Sequence, residues 1–310
     1  MPQPVESLDS LPIRLKRILF ASNFTPTSAM ALPYAAAFAR RFGAQIYVAH
    51  VIAPDEYQHI HQAELDVTLG QMKRASEERI QGLLEAANFA EIGYRIVLDH
   101  GDVMEAIAAN VREHQIDLIV AGSHGRHGIE KLLYPAIDEA IARDVACPVL
   151  LIGPEVRVRP EDEVRLERIL LATDLEPHSR PLMDYAYALA AAYQAELFFL
   201  HVADDAWKEP LATRMTPEAF CCMQLLKQQL PERAYGVEPK FLVEFGPPES
   251  LILEWAQRIG AELIVAGLPA TAHPGLESHL PGPMAYNLAS HALCPVLAVR
   301  DADDLGAKHR

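Results

Sequence analysis

The chain repeats itself, and the repeat limits what it can fold into. "RILFASNF" (Arg17 to Phe24) returns as "RILLATDL" (Arg168 to Leu175), an offset of 151. "IYVAHV" (Ile46 to Val51) returns as "LFFLHV" (Leu197 to Val202) at the same offset. "DLIVAG" (Asp117 to Gly122) matches "ELIVAG" (Glu262 to Gly267) at 145, and "CPVLLI" (Cys147 to Ile152) matches "CPVLAV" (Cys294 to Val299) at 147. The order is kept and the offsets shrink slightly, as expected of a duplicated domain with small deletions in its second copy. The charged, proline-containing segment "GPEVRVRPEDEVR" reads as a surface linker between the copies. The expected organisation is one domain over 1–155, a linker over 156–166, a second domain over 167–302 and a tail over 303–310.

Within each copy, short runs of Ile, Val and Leu alternate with longer segments of helical spacing. In the first copy the runs fall near 17–22, 45–51, 93–99, 117–122 and 148–152. Such continuous apolar runs are strands buried on both faces. The segment 27–42 places Ala31, Tyr34, Ala35, Phe38 and Phe42 on one helical face, with Gly43 as a stop. Residues 58–88 read as the longest helix, polar on one side, and Asp102 as the cap of a helix over 102–115. Strands separated by helices imply right-handed crossovers and a parallel sheet. The expected fold is therefore α/β: two tandem Rossmann-like, doubly wound domains, each with a five-stranded parallel sheet and about four helices. Ligands of such folds sit beyond the carboxyl ends of the strands, where the strand order reverses.

Composition excludes several classes of partner. The 310 residues carry a net charge of −15, and no long basic tract occurs. Nucleic acid and anionic membrane surfaces both select clustered Lys and Arg, so neither is an expected partner. No run has the length of a membrane helix, and "MPQPVESLDS" lacks the basic start and apolar core of a signal peptide. Four cysteines, none in a CxxC pair, suit a reducing cytoplasm.

The carboxyl edge collects the candidate binding residues. Asn23 and Asp174 end the first strand of each copy, and either caps the following helix or contacts a base or ribose. His50 and His201 end the second strands, either as packed, hydrogen-bonded residues or with a direct role. After the fourth strand of copy one comes "VAGSHGRHG", with Gly122, Gly125 and Gly128. Glycine lets backbone N–H groups approach an anion at a strand–loop–helix junction, and Ser123 and Arg126 add donors. The competing reading is a Gly-rich turn with basic decoration.

Together these segments resemble the universal stress protein family, twice, over nearly the whole chain. The resemblance rests on "RILFASNF", the "HV" ending of the second strand, "DLIVAGSHGRHG" and "CPVLLI". It implies a Rossmann-like fold and, in some members, ATP binding with Mg as a possible companion. Binders carry G-x2-G-x9-G-[S/T] after strand four and an aspartate at the end of strand one. The backbone at the end of strand two holds the adenine, and Val51 and Val202 match that place. Copy one keeps Gly122 and Gly125, but Pro135 and Ala136 stand where Gly and Ser or Thr are expected. Proline lacks an N–H and alanine a hydroxyl, so two phosphate donors are gone. Asn23 also replaces the aspartate. Copy two keeps Asp174 but has Ala270 for the second glycine and a loop rich in proline. Weak adenine-nucleotide binding is thus expected in the N-terminal half, in a cytoplasmic stress-response regulatory or protective protein. The alternative is a nucleotide-independent scaffold with degenerate loops. The resemblance further implies pairing of last strands, internally between "CPVLLI" and "CPVLAV" or in a homodimer, which would cover open sheet edges.

Catalytic constellations are missing from the sequence. There is no G-x-S-x-G elbow, HExxH or complete Walker loop, and a slow ATPase would lack an obvious base. His59 and His61 with Glu64 are the nearest approach to a metal set, but histidines two apart on a helix face different ways. Cys221 and Cys222 fit an apolar helix face, and Cys147 and Cys294 a buried core.

Overall fold

A computed structural model describes residues 8, 11–61, 63–87, 89, 91–123, 147–158, 163–174, 180–203, 224, 236–267 and 284–299. The chain divides into two compact units, Leu15–Val164 and a second comprising Arg165–Arg310 with Met1–Arg14.

The described elements of the first unit are β1 (Arg17–Ala21), α1 (Pro26–Phe42), β2 (Gln45–Ile52), α2 (Pro54–Tyr57), α3 (Leu65–Ala86), β3 (Tyr94–His100), α4 (Val103–His114), β4 (Leu118–Gly122) and β5 (Val149–Ile152). Its sheet is parallel in the order β3-β2-β1-β4-β5. The chain steps outward from β1 to β3 and then resumes on the other side of β1. The strand order therefore reverses between β1 and β4. The second unit has β6 (Arg168–Thr173), α5 (Arg180–Tyr193), β7 (Glu196–Ala203), β8 (Lys240–Phe245), α6 (Pro248–Ile259), β9 (Leu263–Gly267), α7 (Met284–His291) and β10 (Val296–Val299). It repeats the topology as β8-β7-β6-β9-β10, all parallel. The α/β, doubly wound architecture expected from the repeat is the one observed, and the five strands of copy one lie within a residue or two of their expected places.

The central strands are buried because helices cover both faces: Ile18, Leu19 and Phe20 of β1 and Ile169, Leu170 and Leu171 of β6 are wholly inaccessible. Helix α1 begins where the Thr25 side chain accepts from the Ser28 N–H, with Pro26 as its first residue. It ends at Gly43, whose φ of 61° places it in the left-handed region. All five apolar residues assigned to its inner face are buried. Asp102 caps α4 as expected, its Oδ1 accepting from the N–H groups of Met104 and Glu105, both at 2.9 Å.

One element differs from expectation. Residues 58–88 are not a single helix. Pro54 starts the one-turn α2 at the end of β2, and two successive turns follow, with Ile60 N–H donating to the Tyr57 carbonyl and Glu64 N–H to that of His61. Helix α3 starts only at Leu65 and buries Leu69, Ser76, Ile80 and Leu84 along one face.

The duplication extends to polar contacts. At the amino edge of the first unit, Asp117 Oδ2 accepts from the N–H groups of Lys16 (2.7 Å) and Arg17 (2.8 Å). In the second unit Glu262 Oε2 accepts from those of Glu167 (3.2 Å) and Arg168 (2.7 Å). Each carboxylate ties the start of the central strand to the start of its neighbour.

Candidate functional site

The carboxyl edge of the first sheet is built from three strand ends. The Ser22 N–H donates to the Ala49 carbonyl, extending the β1–β2 pairing one residue past β1. Beyond it the chain turns through Asn23, Phe24 and Thr25 into α1. Asn23 is exposed, and its Oδ1 accepts from the Thr25 N–H (3.2 Å) and hydroxyl (2.7 Å). The helix cap is therefore Thr25, and Asn23 orients that cap. This corrects the simplest capping reading of Asn23 and leaves its side chain engaged in the turn.

His50, on β2, is buried, and its Nδ1 lies 2.8 Å from the Ser22 carbonyl oxygen. A carbonyl only accepts, so Nδ1 carries the proton. His201 on β7 repeats the contact with the Thr173 carbonyl at 2.9 Å. Of the two roles open to these histidines, both perform the packed, hydrogen-bonded one. Each joins the ends of its first two strands, and Val51 and Val202, the expected adenine-edge residues, follow directly and are half-buried.

Gly122 closes β4 at the order reversal. A Cβ placed there would lie 2.6 Å from the Thr27 carbonyl group and 2.7 Å from the Ser28 nitrogen. Only glycine lets the first turn of α1 sit this close to the strand, so packing alone demands it. Ser123 follows, but its N–H already donates to the Ile152 carbonyl at 2.7 Å, so this N–H is committed to the sheet. Gly125, Arg126 and Gly128 lie outside the described residues, as do Pro135, Ala136 and the second copy's loop after Gly267. Asp174 directly follows β6 at an exposed position. Its aligned neighbour Leu175 and the turn that follows are not among the described residues.

Two residues at this edge were not legible as site residues. Phe24 adopts φ 60°, a left-handed conformation uncommon for a bulky side chain. Its ring centroid lies 4.4 Å from that of His50, and the Arg79 guanidinium carbon, carried by α3, lies 3.9 Å from the same ring. An αL position normally signals itself by Gly or Asn, and nothing in sequence links Arg79 to residue 24.

The remaining candidates separate. His59 and His61 lie in the turns before α3, with Glu64 just ahead of it, and no group of three metal-ligating side chains occurs among the described residues. Cys147 and Cys294 are buried free thiols whose pKa burial pushes from the ordinary 9.0 up to about 12, so neither is a nucleophile at neutral pH. Cys221 and Cys222 lie outside the described residues. No helix among those described is long and apolar enough to cross a membrane.

Comparison with known proteins agrees with the duplicated fold. The family model described as "Universal stress protein family" matches residues 14–153 and again 165–300. Universal stress protein A of Salmonella typhimurium is 33% identical over 113 residues, covering 35% of this chain and 76% of that protein. A solved universal stress protein from Archaeoglobus fulgidus covers 92% of this chain and 98% of its own at 20% identity, with a TM-score of 0.67. A further solved universal stress protein, in complex with cAMP, covers 44% of this chain and 99% of its own at 20% identity, with a TM-score of 0.36. Matched along both halves by the same family model, the chain belongs to the universal stress protein family and carries its domain in tandem.

Proposed function

We propose that this protein is a stress-response regulator that binds an adenine nucleotide weakly at the carboxyl edge of its N-terminal sheet. The observation that carries this reading is the convergence of the β1 end, the β2 end at Val51 and Gly122 at the point where strand order reverses, the place where doubly wound sheets take ligands. In this reading the Val51 backbone meets the adenine, while Gly125, Arg126 and Gly128 approach the phosphates. ATP, with Mg beside it, is the proposed ligand, and no chemistry on it is proposed. Native mass spectrometry of freshly purified chain, with thermal shift at millimolar Mg-ATP, tests this. Co-purified adenine nucleotide, or a rise in Tm that grows with ligand concentration, is expected. An empty protein with an unmoved Tm overturns it.

A second reading, a scaffold that works without nucleotide, has its own support. The Ser123 N–H is spent on Ile152, and Pro135 and Ala136 cannot supply the donors of a complete phosphate loop. The same titration separates the two. A cytoplasmic location, domains over 1–155 and 167–302, and last-strand pairing within or between chains belong to the same proposal. Sedimentation velocity reads the association state, and limited proteolysis, expected to cut within 156–166, reads the boundary.

A further inference from the structure

Phe24 stands at the carboxyl edge of the first sheet, where the ligand of the reading above would be received. It lies three residues past the end of β1 and packs on His50, the residue that precedes Val51 in β2. The groups that face it are the imidazole of His50 and the guanidinium of Arg79. These are the partners a purine ring seeks, since a flat π-system gains from stacking on one and from the positive charge of the other. Its backbone is also the non-glycine outlier at this edge, with φ at 60°. A bulky residue remains in that conformation only while its surroundings hold it there, so release of the ring relieves the backbone.

We propose that Phe24 is a built-in cover of the N-terminal site, its ring holding against His50 and Arg79 the place that an adenine ring takes on binding. This rests on the nucleotide reading above and adds a cause for weak binding that the glycine loop does not contain. The ligand must expel an internal competitor before it gains its own contacts, which lowers its apparent affinity by the fraction of open molecules. At the aligned position of copy two the sequence has Leu175, which has no π face to hold a cation.

The test is calorimetric titration of the full chain with ATP and, separately, with adenosine. Adenosine is uncharged, so its binding reports on the place of the base without the phosphate contacts. Phe24→Gly removes the ring and relaxes φ 60°; it is expected to tighten both ligands about tenfold or more. Phe24→Ala removes the ring while keeping a Cβ, and is expected to tighten adenosine a few-fold. It also decides the matter if Phe24→Gly does not fold. Wild-type binding that Phe24→Gly leaves unchanged or weakens overturns the cover alone, making Phe24 a wall of the site. Silence of the wild type and both variants at millimolar ligand overturns the cover and the nucleotide reading together.

Discussion

The two copies share a skeleton and differ in what decorates it. Both bury a histidine at the end of the second strand and point its Nδ1–H at a carbonyl at the end of the first, His50 to Ser22 and His201 to Thr173. Both set a carboxylate on the third strand against a donor on the following helix. Yet Asp99 receives the small amide of Asn110 at 2.6 Å, whereas Glu244 receives the indole N–H of Trp255 at 3.0 Å, with Arg258 over the indole ring. The longer carboxylate accompanies the larger donor, so one contact is kept by a paired change in length. The geometry between elements is the same in both copies, while the residues that make it differ.

This comparison is open to perturbation, and the largest effect should strike both copies at once. Cys147 and Cys294 occupy equivalent places, each with its pKa raised to about 12 by burial. A raised folded pKa means that the native state keeps its proton while the unfolded chain releases it. The thiols' contribution is therefore intact below pH 9 and lost progressively from pH 9 to 12, by up to about 4 kcal/mol at each site. Urea midpoints measured across that range should fall. The fall should shrink in Cys147→Ala and again in the double variant; an identical slope in all three would break the equivalence.

Gly122→Ala comes next. Its Cβ would press on the backbone of α1, and a loss of about 1–3 kcal/mol in denaturant unfolding is expected. Retained stability would mean that the helix can move off the strand at little cost. At the third-strand contact the copies should part. Asn110 is buried, and it also donates to the Ala106 carbonyl. Asn110→Ala leaves Asp99 without this donor and should cost about 1–3 kcal/mol, while Trp255→Phe, at a half-buried position, should cost about 1 kcal/mol or less. Equal losses would show that the lengthened pair in copy two carries the same load. The smallest effect is Arg79→Gln. An exposed cation over an aromatic face contributes about 0.5–1 kcal/mol, so the variant should barely shift the urea midpoint.

What the sequence disclosed follows from the range of each interaction. Repeats, buried strands and the Asp102 cap depend on neighbours a few residues away, and these were legible. The break between α2 and α3 was missed because the polar pattern from 58 to 64 fits one face of a helix as well as a pair of turns. The reason for Gly122 was half-legible. The residue marked a special place, but the cause is the Thr27–Ser28 turn, more than ninety positions earlier in the chain. Phe24 shows the limit most plainly. Local preference argues against φ > 0 for phenylalanine, and contacts with His50 and Arg79 accompany that conformation. Neither contact leaves a trace in spacing.

The carboxylate clasps at the amino edge, Asp117 on Lys16 and Arg17 and Glu262 on Glu167 and Arg168, have a consequence for how such a chain can change over time. They fasten the central strand to its neighbour at the end opposite the carboxyl edge. Losses at the opposite end, such as a glycine turned to proline or an aspartate to asparagine, therefore leave this register untouched. A duplicated gene with its assembly instructions stored away from its binding surface can let one surface decay while the other is retuned, and still yield two folded halves.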